Sequence, residues 1–236
     1  MKFYMTVFLA PTSQELVVPA LTAALAPFDY NDYLREPFDP DEAWDRWQLP
    51  QRNTLPLRPE HIDDARALRV GDGVQDEVVV AAPKGIVDFD ALRQSSRGHA
   101  AGAWDAWAKV VSAYPGTLPR GHFEELHDDP GKAQRDWILQ PAVQEVAQAA
   151  ATQEHPYFNF SLLNADPVAV FAGGRDRFLA RAAAEAIATH AYLTLDGRWL
   201  TQYTDDRGWD THILEMADYL DSLPDEGVIA RVWCHI

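Results

Sequence analysis

The residue types that could do chemistry lie in a few short stretches of the chain, and one of them is the adjacent pair Cys234 and His235. A thiol beside an imidazole could form a nucleophile and its base. In a strand, however, neighbouring side chains point to opposite faces, so Cys234 shares the apolar face with Val232 and Ile236. We therefore predict that Cys234 is a small buried hydrophobe and not a nucleophile.

A second stretch holds His122 and His127 before Asp128 and Asp129. Two histidines five residues apart lie about 140° apart around a helix, so they cannot form the i, i+4 pair that binds zinc on one helix face. The aspartates could complete a metal site only in a loop. We interpret the segment as an acidic surface loop and predict neither a metal site nor a cofactor.

A third stretch follows a predicted hairpin and contains Asp205, Asp206, Asp210 and His212. If the fold brings them together, these groups could form an acid–base or cation site. A simpler interpretation is that Asp210 caps a helix and the others are polar loop residues. We retain Asp206 and His212 as candidate binding residues. The chain has no glycine-rich phosphate loop and no Gly-x-Ser-x-Gly motif.

The best candidate for binding is the run Trp44-Asp45-Arg46-Trp47. Tryptophans three residues apart would share one face of a helix, and tryptophan and arginine dominate interface hot spots. The alternative is that both tryptophans pack into the core, as large aromatic residues usually do.

The elements that must position these residues are clearest at the two ends of the chain. Residues 3–9 alternate in a strand-like manner and are apolar on both faces, which indicates a central strand. Near the other end, 191–195 and 198–203 predict a hairpin around Asp196-Gly197 with a type I′ turn. A helix then begins at Asp210 and ends at Pro224, and 228–236 predicts a closing strand.

The middle of the chain, from about 88 to 190, shows mainly helical periodicity. We therefore predict an α+β fold. Its N- and C-terminal strands would share an antiparallel, ferredoxin-like sheet, with an inserted helical layer. We treat 1–236 as a single domain, and a second small domain is the alternative. The segment 155–163 is aromatic-rich and predicts a strand.

Composition narrows the function classes further. The net charge is −16 and the pI is about 4.7, which argues against direct binding of nucleic acid through bulk charge. No apolar run is long enough to span a bilayer, and we see no signal peptide. One cysteine excludes an internal disulfide framework. We expect a cytoplasmic protein with no membrane contact, and homo-oligomerisation remains open.

Five segments give the chain a resemblance to known proteins. They are Leu25-Ala-Pro-Phe-Asp29, Asp39-Pro40 followed by Trp44-Asp45-Arg46-Trp47, Lys84-Gly-Ile-Val-Asp-Phe89, Asp196-Gly-Arg-Trp199 and Val232-Trp-Cys-His-Ile236. In this order they resemble a family of uncharacterised proteins common in actinobacteria and their phages. Members often carry Gly-Gly-Arg-Trp after the tryptophan pair, whereas this chain has residues 49–53 without glycine. The resemblance implies that the chain is one unit, and it implies no activity.

These observations favour a binding or regulatory protein of phage or mobile-element type. It would act through its acidic surface and the Trp44–Trp47 region on a protein partner with a basic surface. The first alternative is a small-molecule hydrolase or transferase whose scattered Asp and His residues meet in a pocket. The second is a nucleic-acid mimic, which would need carboxylates spaced like phosphates along one face.

Overall fold

The computed structural model of the chain describes residues 2–29, 46–52, 54–71, 77–153, 155–204 and 208–235. The chain forms two compact units. The sheet unit comprises Met1–Leu92 and Ala184–Ile236, and the helical unit comprises Arg93–Ala183.

The sheet unit is organised around a mixed β-sheet. Its strands in the described residues are β1 (Lys2–Leu9), β2 (Arg46–Gln48), β3 (Leu68–Val70), β4 (Val78–Pro83), β5 (Ala191–Leu193), β6 (Trp199–Thr201) and β7 (Val228–His235). The order across the sheet is β3-β4-β7-β1-β5-β6, and β2 also pairs with β7. β1 is therefore central, as its two apolar faces predict, and β7 pairs antiparallel with it over the whole length of both strands.

The sheet differs from the predicted one in its strand directions. β5 pairs with β1 in parallel, with Met5 opposite Ala191 and Val7 opposite Leu193, so the prediction of an antiparallel sheet is wrong. Parallel neighbours require a long crossover, and here almost the whole chain between Leu9 and Ala191 forms it. The hydrophobic pattern of a strand does not reveal the direction of its partner. The α+β class itself is correct.

Each face of the sheet carries one main helix. Helix α1 (Val17–Leu25) packs on the first face through Val17, Leu21 and Leu25, over the inward residues of β1 and β7. Helix α9 (Gly208–Ser222) packs on the second face through Ile213, Met216, Ala217 and Leu220. The alternation of strand side chains thus sends Met5 to one core and Phe8 to the other.

The described part of the helical unit consists of one long helix and several shorter helices around an aromatic core. They are α2 (Phe89–Ala113), α3 (Arg120–Leu126), α4 (Pro130–Ile138), α5 (Pro141–Thr152), α6 (Phe160–Asn164), α7 (Pro167–Phe171) and α8 (Arg175–Glu185), with α2 and α8 crossing the unit boundary after Leu92 and after Ala183. Trp107 stacks on Phe171 at 5.5 Å, and Trp137 is buried in the same core. Asp129 and Asp166 cap α4 and α7 by accepting backbone N–H groups.

Two local predictions fail for identifiable reasons. The hairpin turn has a positive φ at Gly197 only, and the Gly197 N–H donates to Thr194 O, so it is not a type I′ turn. The aromatic segment 155–163 forms no strand, because 160–164 is helical and Asn159 caps that helix by accepting the Leu162 N–H. In both places a side-chain or backbone hydrogen bond overrides the local propensity.

Candidate functional site

The predicted binding residues fall into three groups in the structure. Trp44, Asp45 and Asp206 lie outside the described residues. Arg46 and Trp47 belong to β2, so the predicted helix does not include them. His212 lies in α9. The run Trp44–Trp47 has spacing that fits a helix, but β2 forms because Arg46–Gln48 pairs with the end of β7.

Trp47 faces the first core. It is opposite Cys234 in the β2–β7 register, and Cys234 is opposite Phe3 in the β7–β1 register. Directly opposite residues share a face, so these three side chains lie in one row, and Trp47 is half-buried against the core below α1. Trp47 therefore packs against the first core, but from a strand and not from a helix.

Cys234 is fully buried in the same row. Burial raises the pKa of its thiol to about 12, because a thiolate would lose its hydration there. A thiol with such a pKa is not a nucleophile at neutral pH. The predicted role of Cys234 as a small hydrophobe is confirmed, and His235 points to the opposite face of the sheet.

His212 is buried in the second core, with 1% of its surface exposed. Its Nε2 lies 2.8 Å from Thr189 O, and a carbonyl only accepts, so Nε2 carries the proton. Thr189 in turn donates its hydroxyl proton to Ala191 O at 2.7 Å and accepts from Thr6 Oγ1 at 2.9 Å. His212 thus fixes the segment that leads into β5.

The histidines of the possible metal site, His122 and His127, contact residues close to them in the chain. His127 Nε2 lies 2.7 Å from Asp136 Oδ2, while the His122 ring packs edge-on against Phe123. Across the described ranges, no three His, Cys, Asp or Glu side chains are grouped as a metal would require.

A different cluster stands out at the end of the sheet where β1 begins and β7 finishes. The register places Lys2 and Arg46 on either side of His235, and Tyr4 and Gln48 on either side of Trp233. We call this group the sheet-end surface. Its members are Lys2, Tyr4, Arg46, Gln48, Trp233 and His235. They share the second face of the sheet, because residues two apart in a strand and residues directly opposite point the same way.

The sheet-end surface is accessible. Lys2, Arg46 and Gln48 are exposed, and Tyr4 and Trp233 are half-buried. Lys2 Nζ lies 5.1 Å from the centre of the Trp233 ring, which is a cation–π distance. Opposite Cβ atoms in neighbouring strands are about 5 Å apart, so the aromatic pair and the basic row are adjacent.

The lysine and the arginine of this surface lie at exposed positions on its two sides. Neither Lys2 nor Arg46 forms an ion pair with any described carboxylate, although the net charge of the protein is −16. Lys2 and Arg46 lie on either side of β7, two strand spacings or about 10 Å apart, so both face the same region of the surface. A basic row of this kind is the electrostatic complement of an anion.

Arg231 adds a further charge two residues before Trp233 on the same face. It is opposite Thr6, is 3% exposed and donates to Ile187 O at 2.9 Å, just after the end of α8. Its Nε has no hydrogen-bond partner in the part of the chain that the structure describes. Burial lowers the pKa of Arg231 to about 10, so the guanidinium remains protonated at neutral pH.

Sequence reasoning missed this surface except for Arg46. The alternation of β1 and β7 was visible, and it separates Lys2 and Tyr4 from the apolar row as it separates Trp233 and His235 from Cys234. The adjacency of β1, β7 and β2 was not visible, because their residues lie far apart in the chain.

Comparisons with known proteins found no match, so the candidate site is described from its geometry alone. No family model matches the chain, and neither a curated protein nor a solved structure matches it. The resemblance to actinobacterial and phage proteins therefore stays a prediction. Among the residues that the structure describes, no helix has both the length and the apolar character to cross a membrane.

Proposed function

We propose that the protein is a binding protein whose sheet-end surface takes a small anion that carries a planar aromatic ring, of the type represented by a nucleoside monophosphate. The observation that carries the proposal is the row of Lys2, His235 and Arg46 beside the half-exposed rings of Tyr4 and Trp233. An aromatic side chain on a sheet face stacks against a planar ring, and adjacent basic side chains bind its phosphate.

The net negative charge of the chain favours a ligand with one phosphate over a polynucleotide. A polynucleotide would bring many phosphates close to a protein of net charge −16, and repulsion would oppose its approach. Screening reduces charge interactions beyond about 10 Å at moderate salt, so one phosphate experiences mainly the local basic row. The proposal therefore concerns a mononucleotide and keeps the expectation that the protein does not bind nucleic acid directly.

Isothermal titration with AMP, adenosine and inorganic phosphate tests the proposal. AMP should bind at least about fivefold more tightly than phosphate, because stacking on an aromatic side chain contributes about 1–3 kcal/mol per base. It should also bind more tightly than adenosine, which lacks the phosphate that the basic side chains bind. Replacing Lys2→Gln together with Arg46→Gln should weaken AMP and phosphate while leaving adenosine unchanged. Trp233→Leu should weaken AMP and adenosine while leaving phosphate unchanged.

The matched control is Arg97→Gln with Lys132→Gln, which makes the same change in net charge at exposed positions of the helical unit. This control should bind AMP as the unaltered protein does. If it loses as much affinity as the sheet-end variant, the effect is bulk charge and the proposal is wrong. Equal affinities for AMP and phosphate would show that the aromatic residues do not contribute to binding.

A second candidate function retains the predicted protein partner with a basic surface. The outer face of α9 exposes Glu215, Asp218 and Asp221 together with the apolar side chain of Leu214, and the helix contains no lysine or arginine. Acidic side chains around an exposed leucine complement a basic partner that has an apolar centre. The hydrolase, transferase and nucleic-acid-mimic alternatives stay predictions.

Affinity capture from lysate at two salt concentrations separates the second candidate from the first. A stoichiometric partner that weakens with salt, and that is lost with Asp218→Asn combined with Leu214→Ser, would support docking on α9. Retention of the partner by that variant would place the partner elsewhere. AMP binding should be unaffected by these substitutions, so the two outcomes are independent.

A further inference from the structure

The helical unit contains a pocket of about 360 Å³ that is separate from the sheet-end surface. Residues of α2 form one wall, residues of α5 form the other, and His155, Tyr157 and Phe158 form the floor. The lining residues are Gly102, Asp105, Ala106, Lys109, Val110, Glu145, Ala149, His155, Tyr157 and Phe158. The volume lies within the range of about 300–1,000 Å³ that is typical of small-molecule sites.

Aromatic packing holds the floor of the pocket in place. The His155 ring stacks on Phe158 with 4.2 Å between ring centres, and the Tyr157 ring meets His99 edge-on at 5.0 Å. Tyr157 lies so close to α2 that a Cβ on Gly102 would overlap its hydroxyl. Glycine at this position is therefore what lets the ring lie against the helix. The floor presents a fixed, largely apolar surface.

The charges in the pocket are of both signs and stand on opposite walls. Lys109 belongs to α2 and Glu145 belongs to α5, and no ion pair joins them or links either one to another described residue. Asp105, on the same wall as Lys109, lies 3.8 Å from Arg175 and is thereby partly neutralised. A ligand with a single charge would be attracted by the charged side chain of one wall and repelled by that of the other.

We infer that this pocket binds a zwitterionic small molecule with an apolar body, of the type represented by a free aromatic amino acid. Its ammonium group would face Glu145 and its carboxylate would face Lys109, with its side chain against Tyr157 and Phe158. The lining supplies an ammonium, two carboxylates and aromatic rings, which are the groups that such a ligand needs. This inference does not rest on the proposed function, since every residue in it belongs to the helical unit.

Titration calorimetry with four related probes tests the inference. The probes are L-phenylalanine, N-acetyl-L-phenylalanine without the cation, L-phenylalanine amide without the anion, and glycine without the apolar body. Phenylalanine should bind up to about fivefold more tightly than its N-acetyl form and its amide, because each of them lacks one exposed charge contact. It should also bind more tightly than glycine, which lacks the apolar body. Four equal affinities, or no binding of phenylalanine, would overturn the inference.

Two variants assign the charges to their walls. Glu145→Gln should remove the preference for phenylalanine over its N-acetyl form, and Lys109→Gln should remove the preference over the amide. Glu125→Gln and Lys132→Gln make the same changes at exposed positions outside the pocket and should keep both preferences. If the pocket variants keep both preferences while remaining folded by circular dichroism, the ligand does not bind between these walls. AMP binding at the sheet-end surface should be the same in all four variants.

Discussion

The end of the sheet carries two faces built by the same three strands, and they differ completely in chemistry. On the first face Phe3, Cys234 and Trp47 form one row in the core below α1. On the second face the rows on either side of it carry Lys2, His235, Arg46 and their aromatic neighbours. Successive side chains in a strand point to opposite faces, and in these strands that alternation separates the buried residues that stabilise the fold from the exposed residues that are available for binding.

The largest expected contrast is between neighbouring residues of β1. Phe3→Ala should lower the free energy of unfolding by about 3 kcal/mol, because it empties a packed position beside Trp199 in the core. Tyr4→Ala should lower it by only about 1 kcal/mol, since the ring is half-exposed, while reducing AMP affinity. Urea unfolding of both variants measures the contrast. Equal losses of stability would mean that the two faces do not divide these roles.

The burial of the Cys234 thiol on the first face can be tested through the pH dependence of stability. The pKa of Cys234 is about 12 in the folded protein against an ordinary value of 9.0, so above pH 9 the unfolded chain loses a proton that the folded protein keeps. The stability from this group is complete below pH 9 and is lost as the pH rises towards 12, at about 1 kcal/mol per pH unit.

Comparison with Cys234→Ala isolates this effect from other groups that titrate at high pH. The free energy of unfolding of the variant should fall less steeply between pH 9 and 12 than that of the unaltered protein. The native thiol should also resist alkylation at neutral pH while the urea-unfolded chain reacts. Parallel pH profiles, or rapid labelling of the folded protein, would show that the row of Cys234 is open to solvent.

The smallest expected change in stability comes from the basic row. Lys2→Gln with Arg46→Gln should alter the free energy of unfolding by less than about 0.5 kcal/mol, because both side chains are exposed and neither forms an ion pair with a described carboxylate. The same double variant should lose AMP affinity. A loss of stability comparable with that of Phe3→Ala would mean that these side chains stabilise the fold and are not available to bind a ligand.

Sequence patterns predicted the parts of this contrast that depend on a single strand. The alternation of 3–9 identified a central strand, and the alternation near the end of the chain placed Cys234 on an apolar face. The patterns failed where a pairing partner decides the structure. Arg46–Gln48 is too short to form a strand by itself, and its tryptophan spacing also fits a helix, so only pairing with β7 determines its state.

His212 shows the same limit for a candidate site residue. Its position in a helix near the hairpin was predictable, and its acidic neighbours in sequence made a functional cluster plausible. The tertiary fold instead turns the ring inwards to donate to Thr189 O. A polar side chain that is needed to satisfy a buried carbonyl has the same sequence signature as one that binds a ligand.

By itself the sequence determined the α+β class, the central position of β1, the inward face of Cys234 and the predominance of helices in the middle of the chain. Each of these follows from side-chain periodicity within one segment. Tertiary structure decided the parallel pairing of β5 with β1, the strand state of Trp47 and the meeting of Lys2, Arg46 and His235 on one surface. These features depend on contacts between distant segments, whose free energy no local pattern encodes.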